Sequence, residues 1–276
     1  MRRTRLIQSI ALHVVITAGA LLFLMPIFWM LLSATKANNV ILSLPPTLAF
    51  GDALAANWAE LADDLPFLRN VFNSVGIAVI YTLVATMVCA MGGYALAKFR
   101  FFGRGAVFTL ILVALTIPFE VRIIPQYLLI ARDMGLTNTW WAIILPGLAN
   151  ALGIFFMRQN MLSVPSELLE AARIDGASEA RIFAQVVLPI MQPALAAVGI
   201  VLLLFQWNDF LWPLLVLTDR EAYTIPVALG TLVGLTRVSW GGIMVGTAIA
   251  TIPFLIMFLF LQRYFVAGIT AGAVKD

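Results

Sequence analysis

Apolar runs of membrane-spanning length, separated by short charged stretches, dominate the pattern of this chain. An α-helix needs about 20 apolar residues to cross the hydrocarbon core of a bilayer, and windows of about that length with few or no charges mark the candidates. They lie at about 9–34, 70–97, 104–120, 138–157, 190–217 and 240–262. The first holds Pro26 and stops before Lys36. Its apolar run from Ile10 to Ser33, behind Arg2, Arg3 and Arg5, is too long for the roughly 7–15-residue core of a secretory signal and reads as a retained span. The second window is longer than the core requires, so it tilts or protrudes. The third breaks near Pro118 and Pro125. Two polar stretches stand out: 36–68, with Pro45-Pro46 and the acids Asp52, Glu60, Asp63 and Asp64, and a charged, helix-forming insert at about 163–189.

Composition turns these windows into a class. Hydrophobic residues make up 62% of the chain and charged residues 11%, with a mean hydropathy of +0.99. A soluble domain carries about 25% charged residues, so this chain is solvated by lipid. The expectation is one all-α integral membrane domain over 1–276, with six transmembrane helices. Lysine and arginine concentrate on the cytoplasmic side of such proteins. Arg2, Arg3, Arg5, Lys98, Arg100, Arg104, Arg158, Arg173, Arg181, Arg263 and Lys275 fall on one side of the six spans. Lys36, Arg69, Arg122, Arg132, Arg220 and Arg237 fall on the other. This division predicts both termini and the 163–189 insert in the cytoplasm, with 36–68 and 218–238 facing outward.

Candidate chemistry is sparse. Cys89 is the single cysteine, and His13 has no ligand-spaced partner, so no metal site is expected. No nucleophile–base constellation or cofactor fingerprint occurs, which argues against a membrane-bound enzyme, and nothing points to nucleic acid. A phosphate-binding Gly-x-x-x-x-Gly-Lys-Ser/Thr loop is also missing from the sequence. This chain is therefore expected to bind no cofactor; if ATP drives it, the nucleotide site is on another chain.

The insert is the most specific feature. Pro165 suits the first turn of a helix that runs through Ile174. Acids near its start and Arg173 near its end complement the helix dipole. Gly176 permits a turn that a β-carbon hinders. Asp175 or Ser178 can cap a second helix, running through Arg181, Phe183 and Val187 to Pro189. Ala171 and Ala172 are small enough for a partner surface to approach closely, and the flanking charges fix register. Held between two spans, such a helix acts as a lever on the fifth.

Its spacing is Glu170-Ala171-Ala172, three residues, Gly176, nine residues, Val186, one residue, then Leu188-Pro189. That pattern resembles the cytoplasmic coupling loop of ABC-importer membrane subunits, with Val186 where the family usually has Ile. The resemblance implies the ABC type I importer transmembrane fold, with a coupling-helix insert between spans four and five. It also implies ATPase coupling through Glu170, Ala171, Ala172, Asp175, Gly176, Val186, Leu188 and Pro189. Gln206-Trp207-Asn208-Asp209-Phe210-Leu211-Trp212-Pro213 and the ending Gly268-Ile269-Thr270-Ala271-Gly272-Ala273-Val274-Lys275 are similar to the carbohydrate-uptake branch, and within it to the smaller, maltose-transporter-type permease. That branch implies a second, unlike permease and two ATP-binding cassette subunits carrying ATP and Mg. It further implies an extracytoplasmic solute-binding protein and a bacterial or archaeal inner membrane. The cargo would be a sugar, oligosaccharide or glycerophosphate moved by alternating access. The family's tail can reach toward the ATPases, although Asp276 stands where Gly is usual.

Asp209 lies about 16 residues beyond Pro193, roughly 24 Å along a helix, in the outer half of the bilayer. An acid within a span costs about 2.5–3.5 kcal/mol on insertion scales, so it faces protein or water. Trp207, Asn208 and Asp209 read either as part of the solute path or as caps that brace helices. Glu120 and Arg122, at the break after the third span, either pair or gate the outer mouth. Small residues at four-residue spacing, Cys89, Gly93 and Ala97 and again Gly242, Gly246 and Ala250, predict close helix packing. Two alternatives stay open: an ion-coupled secondary transporter, which ordinarily needs repeats and buried ionisable relays, and an ABC permease for amino acids or peptides.

Overall fold

The computed structural model describes residues 2–234 and 238–273, with side chains described over 9–234 and 238–259. Arg237, Lys275 and Asp276 lie outside the described residues, as do the side chains of Arg2, Arg3, Arg5, Arg263 and the Gly268–Lys275 ending. The helices are α1 (Arg2–Ala34), α2 (Asn38–Ile41), α3 (Leu54–Asp64), α4 (Phe67–Lys98), α5 (Arg104–Thr116), α6 (Phe119–Tyr127), α7 (Trp140–Ile144), α8 (Ala151–Met161), α9 (Ser166–Ile174), α10 (Glu179–Ile182), α11 (Leu188–Ile190), α12 (Gln192–Trp207), α13 (Leu211–Val216), α14 (Ile225–Thr231) and α15 (Trp240–Ala273). A π turn over Leu128–Asp133 extends α6, and another over Phe183–Val187 joins α10 to α11.

Among the described residues, three single helices are long and apolar enough to cross a membrane: Ser9–Ala34, Phe67–Lys98 and Trp240–Leu259. The number reaches six when each of three bent pairs counts as one span. Arg104–Thr116 and Phe119–Asp133 meet at 103°, Trp140–Gly147 and Ala151–Met161 at 43°, and Glu179–Ile190 and Gln192–Trp207 at 81°. The windows read as continuous at 138–157 and 190–217 are thus interrupted. The reasons are local. Ile117 is extended (φ −79°, ψ 116°) because the residue before a proline avoids the helical region. Asn150 is extended as well, and its Oδ1 accepts the Gly153 N–H at 3.0 Å, starting α8 afresh. Asn208 closes α12 by donating from Nδ2 to the Leu204 carbonyl at 2.8 Å.

Packing divides the chain into two units, Met1–Phe67 with Leu229–Ile252, and Leu68–Ala228 with Pro253–Asp276. In the first, the polar stretch expected at 36–68 folds around buried Asn57. Its Nδ2 donates to the carbonyls of Ala34 (2.9 Å) and Lys36 (2.8 Å), satisfying the end of α1. Asn38 Oδ1 accepts the Gly241 N–H at 2.7 Å, one of the orphan donors that open α15. Lys36 is buried, donating to the Thr47 carbonyl, with its ammonium 5.0 Å from the Trp29 ring centroid. Gly246 admits Phe67 and Leu229, and Gly242 admits Ser239 and Leu232.

The second unit is built on α4 and α8. A β-carbon on Gly93 would lie 2.7 Å from the Arg158 nitrogen, and one on Gly153 would lie 2.6 Å from Cys89 Sγ, so small residues set this crossing. Arg158, just beyond, places its guanidinium 3.9 Å from the Phe108 ring centroid, and Phe108 stacks on Phe155. Trp212 Nε1 donates to the Ala142 carbonyl at 2.9 Å, fixing α13 to α7.

Candidate functional site

The insert is a helix–turn–helix. Pro165 stands immediately before α9, at the capping position rather than in the first turn. The turn after α9 is a Schellman motif: the Ala177 N–H donates to the Ala172 carbonyl and the Gly176 N–H to the Arg173 carbonyl, both at 3.0 Å. This places Gly176 at φ +79°. Asp175 is the C-terminal cap of α9, and Ser178 caps the second helix, its Oγ accepting the Arg181 N–H at 3.4 Å. The second helix does not pass straight into a membrane helix at Pro189. It widens to a π turn where Pro189 has no N–H to give the Gln185 carbonyl, ends at Ile190, and turns by 81° before α12.

Gly176→Ala separates torsion from crowding. Nothing lies within 4 Å of the added β-carbon, so the cost is that of a left-handed residue, about 1–2 kcal/mol. A lowered melting temperature is expected for Gly176→Ala, with Gly176→Asn nearer the parent, measured on purified protein.

Helical phase divides the motif residues between two faces. Leu169 is buried, and Ala172, Val186 and Leu188 are half-buried against the core that contains Leu169, Ile182 and Val187. Glu170, Ala171, Asp175, Gly176 and Pro189 are exposed. Ala171 and Ala172 therefore face different ways: one is small at the surface, the other packs inside. Ile174, which the motif does not include, is 86% exposed, and Leu168 is 47% exposed. With Glu167, Glu170 and Ala171, Ile174 forms one face at the three- and four-residue spacing of a helix. That spacing was the signal that marks Ile174 in the sequence.

One ion pair ties the two helices together. Arg173 Nε donates to Glu179 Oε1 at 2.6 Å, and Tyr94 Oη on α4 donates to Glu179 Oε2 at 3.2 Å. The Arg173 bond holds the Glu179 carboxyl below the usual glutamate range. Lys98 Nζ donates to the Val164 carbonyl just ahead of α9. Nothing local in sequence marks Tyr94 or Lys98 as partners of the insert.

The second candidate cluster surrounds the end of α12. Asp209 is half-buried in the break between α12 and α13, while Asn208 caps α12 and Trp207 stands against Phe254, ring centroids 6.2 Å apart. Arg122 lies 5.8 Å from the Phe119 ring centroid, and it and Glu120 are exposed. Among the described residues no group of His, Cys, Asp or Glu is placed to hold a metal ion.

Apolar helices long enough to cross a membrane, three single ones and three bent pairs among the described residues, mark a polytopic membrane protein. Residues 89–271 match the family of binding-protein-dependent transport system inner membrane components, and the chain belongs to that family. It is similar over 98% of its length to permease proteins of three transport systems. These are the arabinooligosaccharides system of Bacillus subtilis (AraQ; 34% identical, 96% of that protein covered), the lactose system of Rhizobium radiobacter (LacG; 35%, 98%), and the sn-glycerol-3-phosphate system of Agrobacterium fabrum (UgpE; 33%, 98%). In fold it resembles a chain of a bacterial ABC transporter involved in import of the acidic polysaccharide alginate, with TM-score 0.77 and 24% identity, covering 94% of this chain and 96% of that one. The chain is a non-catalytic permease subunit of a binding-protein-dependent transport system.

Proposed function

We propose that this chain is the smaller of two unlike permeases in an ATP-driven importer of a sugar, oligosaccharide or glycerophosphate. In this reading residues 1–276 form one transmembrane permease domain with both termini and the insert in the cytoplasm. Two ATP-binding cassette subunits hold ATP and Mg, and an extracytoplasmic binding protein delivers the solute. The observation that carries the reading is the face formed by Glu167, Glu170, Ala171 and Ile174: a small residue beside two acids, with a nearly fully exposed isoleucine one turn on. Such a face suits a protein groove. Asp175 and Gly176 shape its edge, Ala172, Val186 and Leu188 hold it against the spans, and Pro189 stands exposed where the second helix ends. The cargo class rests on the relatives named for arabinooligosaccharides, lactose and sn-glycerol-3-phosphate.

ATP binding on the partner chains moves the insert, closes the cytoplasmic side and opens the path outward, and hydrolysis resets it. Trp207, Asn208 and Asp209 stand at the break that the solute passes. Asp209→Ala removes a half-buried carboxyl from the break between α12 and α13. Solute uptake is expected to fall while the ATPase subunits stay bound; their loss from this variant would sink the assignment.

The test is ATPase activity of the complex purified through a tag on this chain and reconstituted with its binding protein, over a panel of disaccharides, longer glycans and glycerophosphates. Stimulation by one ligand is expected. ATP-independent uptake driven by an ion gradient would favour a secondary transporter.

A further inference from the structure

Helix α4 is tied by its own side chains at both ends. At one end Tyr94 bonds Glu179, and its ring packs against Phe183 at 5.3 Å between centroids, while Lys98 holds the Val164 carbonyl. The insert is thereby gripped on both sides of α9. At the other end buried Asn70 donates to the carbonyls of Arg220 (2.8 Å) and Tyr223 (3.1 Å). Asn73 donates to the carbonyls of Glu221 (2.8 Å) and Tyr223 (3.2 Å), and Ser74 Oγ accepts the Ile225 N–H at 2.7 Å. Asn70 and Lys98 are separated by roughly 42 Å of uninterrupted helix at 1.5 Å per residue, with no proline between them.

The covalent connections of the insert are poorer transmitters. It reaches α12 only through the 81° bend at Met191, and leaves α8 through a turn at Leu162–Pro165. A push along α11 is not collinear with α12, whereas α4 is one rod with hydrogen-bonded grips at each tip.

We propose that α4 is the strut that makes the insert and the 218–225 loop move as one, with Tyr94, Lys98, Asn70 and Asn73 as positioning residues for transport. The proposal rests on the reading of the insert as the ATPase-docking element, and it replaces the fifth span as the main route of movement. Spatial intermediacy alone does not establish coupling; a perturbation at one tip must be read at the other.

The experiment uses the complete complex with Cys89→Ala and Glu221→Cys in this chain. The labelling rate of Glu221→Cys by a membrane-impermeant maleimide is compared without nucleotide and with ATP plus vanadate, and retention of the ATPase subunits is scored separately. A nucleotide-dependent change in labelling is expected in the parent, reduced at least about fivefold by Tyr94→Ala with Lys98→Met, and largely kept by Tyr94→Phe, which preserves the ring packing. An undiminished change in the double variant, with ATPases retained, would overturn the proposal. Should that variant lose its ATPases or fail to fold, Asn73→Ala decides: it touches nothing on the insert, and binding-protein-stimulated ATPase is expected to fall at least about threefold with basal activity unchanged. Unchanged stimulation there overturns the strut. A parent complex that holds no ATPase overturns the docking reading itself, and the strut with it.

Discussion

Ala171→Arg is expected to strip the ATP-binding subunits from the purified complex while leaving the chain folded and in the membrane. Ala171 is exposed on the central turn of α9, between Glu167 and Ile174. Arginine is a good helix former, so α9 persists. What changes is the docking surface: a long charged side chain stands where a groove wall is expected to close in. Loss of a central interface contact is worth about 2 kcal/mol or more, roughly a 30-fold loss of affinity. Co-purification and binding-protein-stimulated ATPase should both fall by at least that factor, with normal expression by size-exclusion chromatography.

Leu169→Ala, two residues earlier, is expected to fail in the opposite way. Leu169 is 2% exposed and belongs to the cluster that also contains Val164, Ile182 and Val187. Truncating a buried leucine costs about 2–5 kcal/mol through lost contacts and the cavity left behind. The grip of α9 on the spans weakens, so protease cutting in the insert should rise and the melting temperature should fall even in the isolated chain. ATPase docking is lost second, as a consequence. The two variants together separate the surface of the insert from its support, a distinction that adjoining Ala171 and Ala172 draw within the motif itself.

Much of the architecture follows from the arrangement of apolar windows. Charge-free runs locate the long helices α1, α4 and α15, and Gly176 stands in the left-handed turn that its residue type suits. Hydropathy registers apolarity but not direction, so the breaks at Asn150 and Met191 are invisible to it: both lie within apolar stretches and arise from a single capping amide or a redirected turn. The polar 36–68 stretch carried a similar ambiguity. Its fold depends on Asn57 and Asn38, whose partners are the ends of α1 and α15, one of them some 200 positions away.

The insert shows the same division. Its motif spacing marks the element, and helical phase alone would have added Ile174 and turned Ala172 inward. Tyr94 and Lys98 have no such signal, because their partners Glu179 and Val164 lie 85 and 66 positions away. Long-range pairs of this kind become readable only when the chain has folded.

Docking of an ATP-binding subunit on the exposed face of α9 is tested most directly by site-directed cross-linking. Ile174→Cys in a Cys89→Ala chain, treated in membranes with a short thiol-to-amine cross-linker, is expected to yield one major product containing an ATP-binding subunit. Ile10→Cys, on the exposed surface of α1, should yield none. Active transport by the Ile174→Cys complex without any cross-link to an ATP-binding chain would contradict the assignment of the insert.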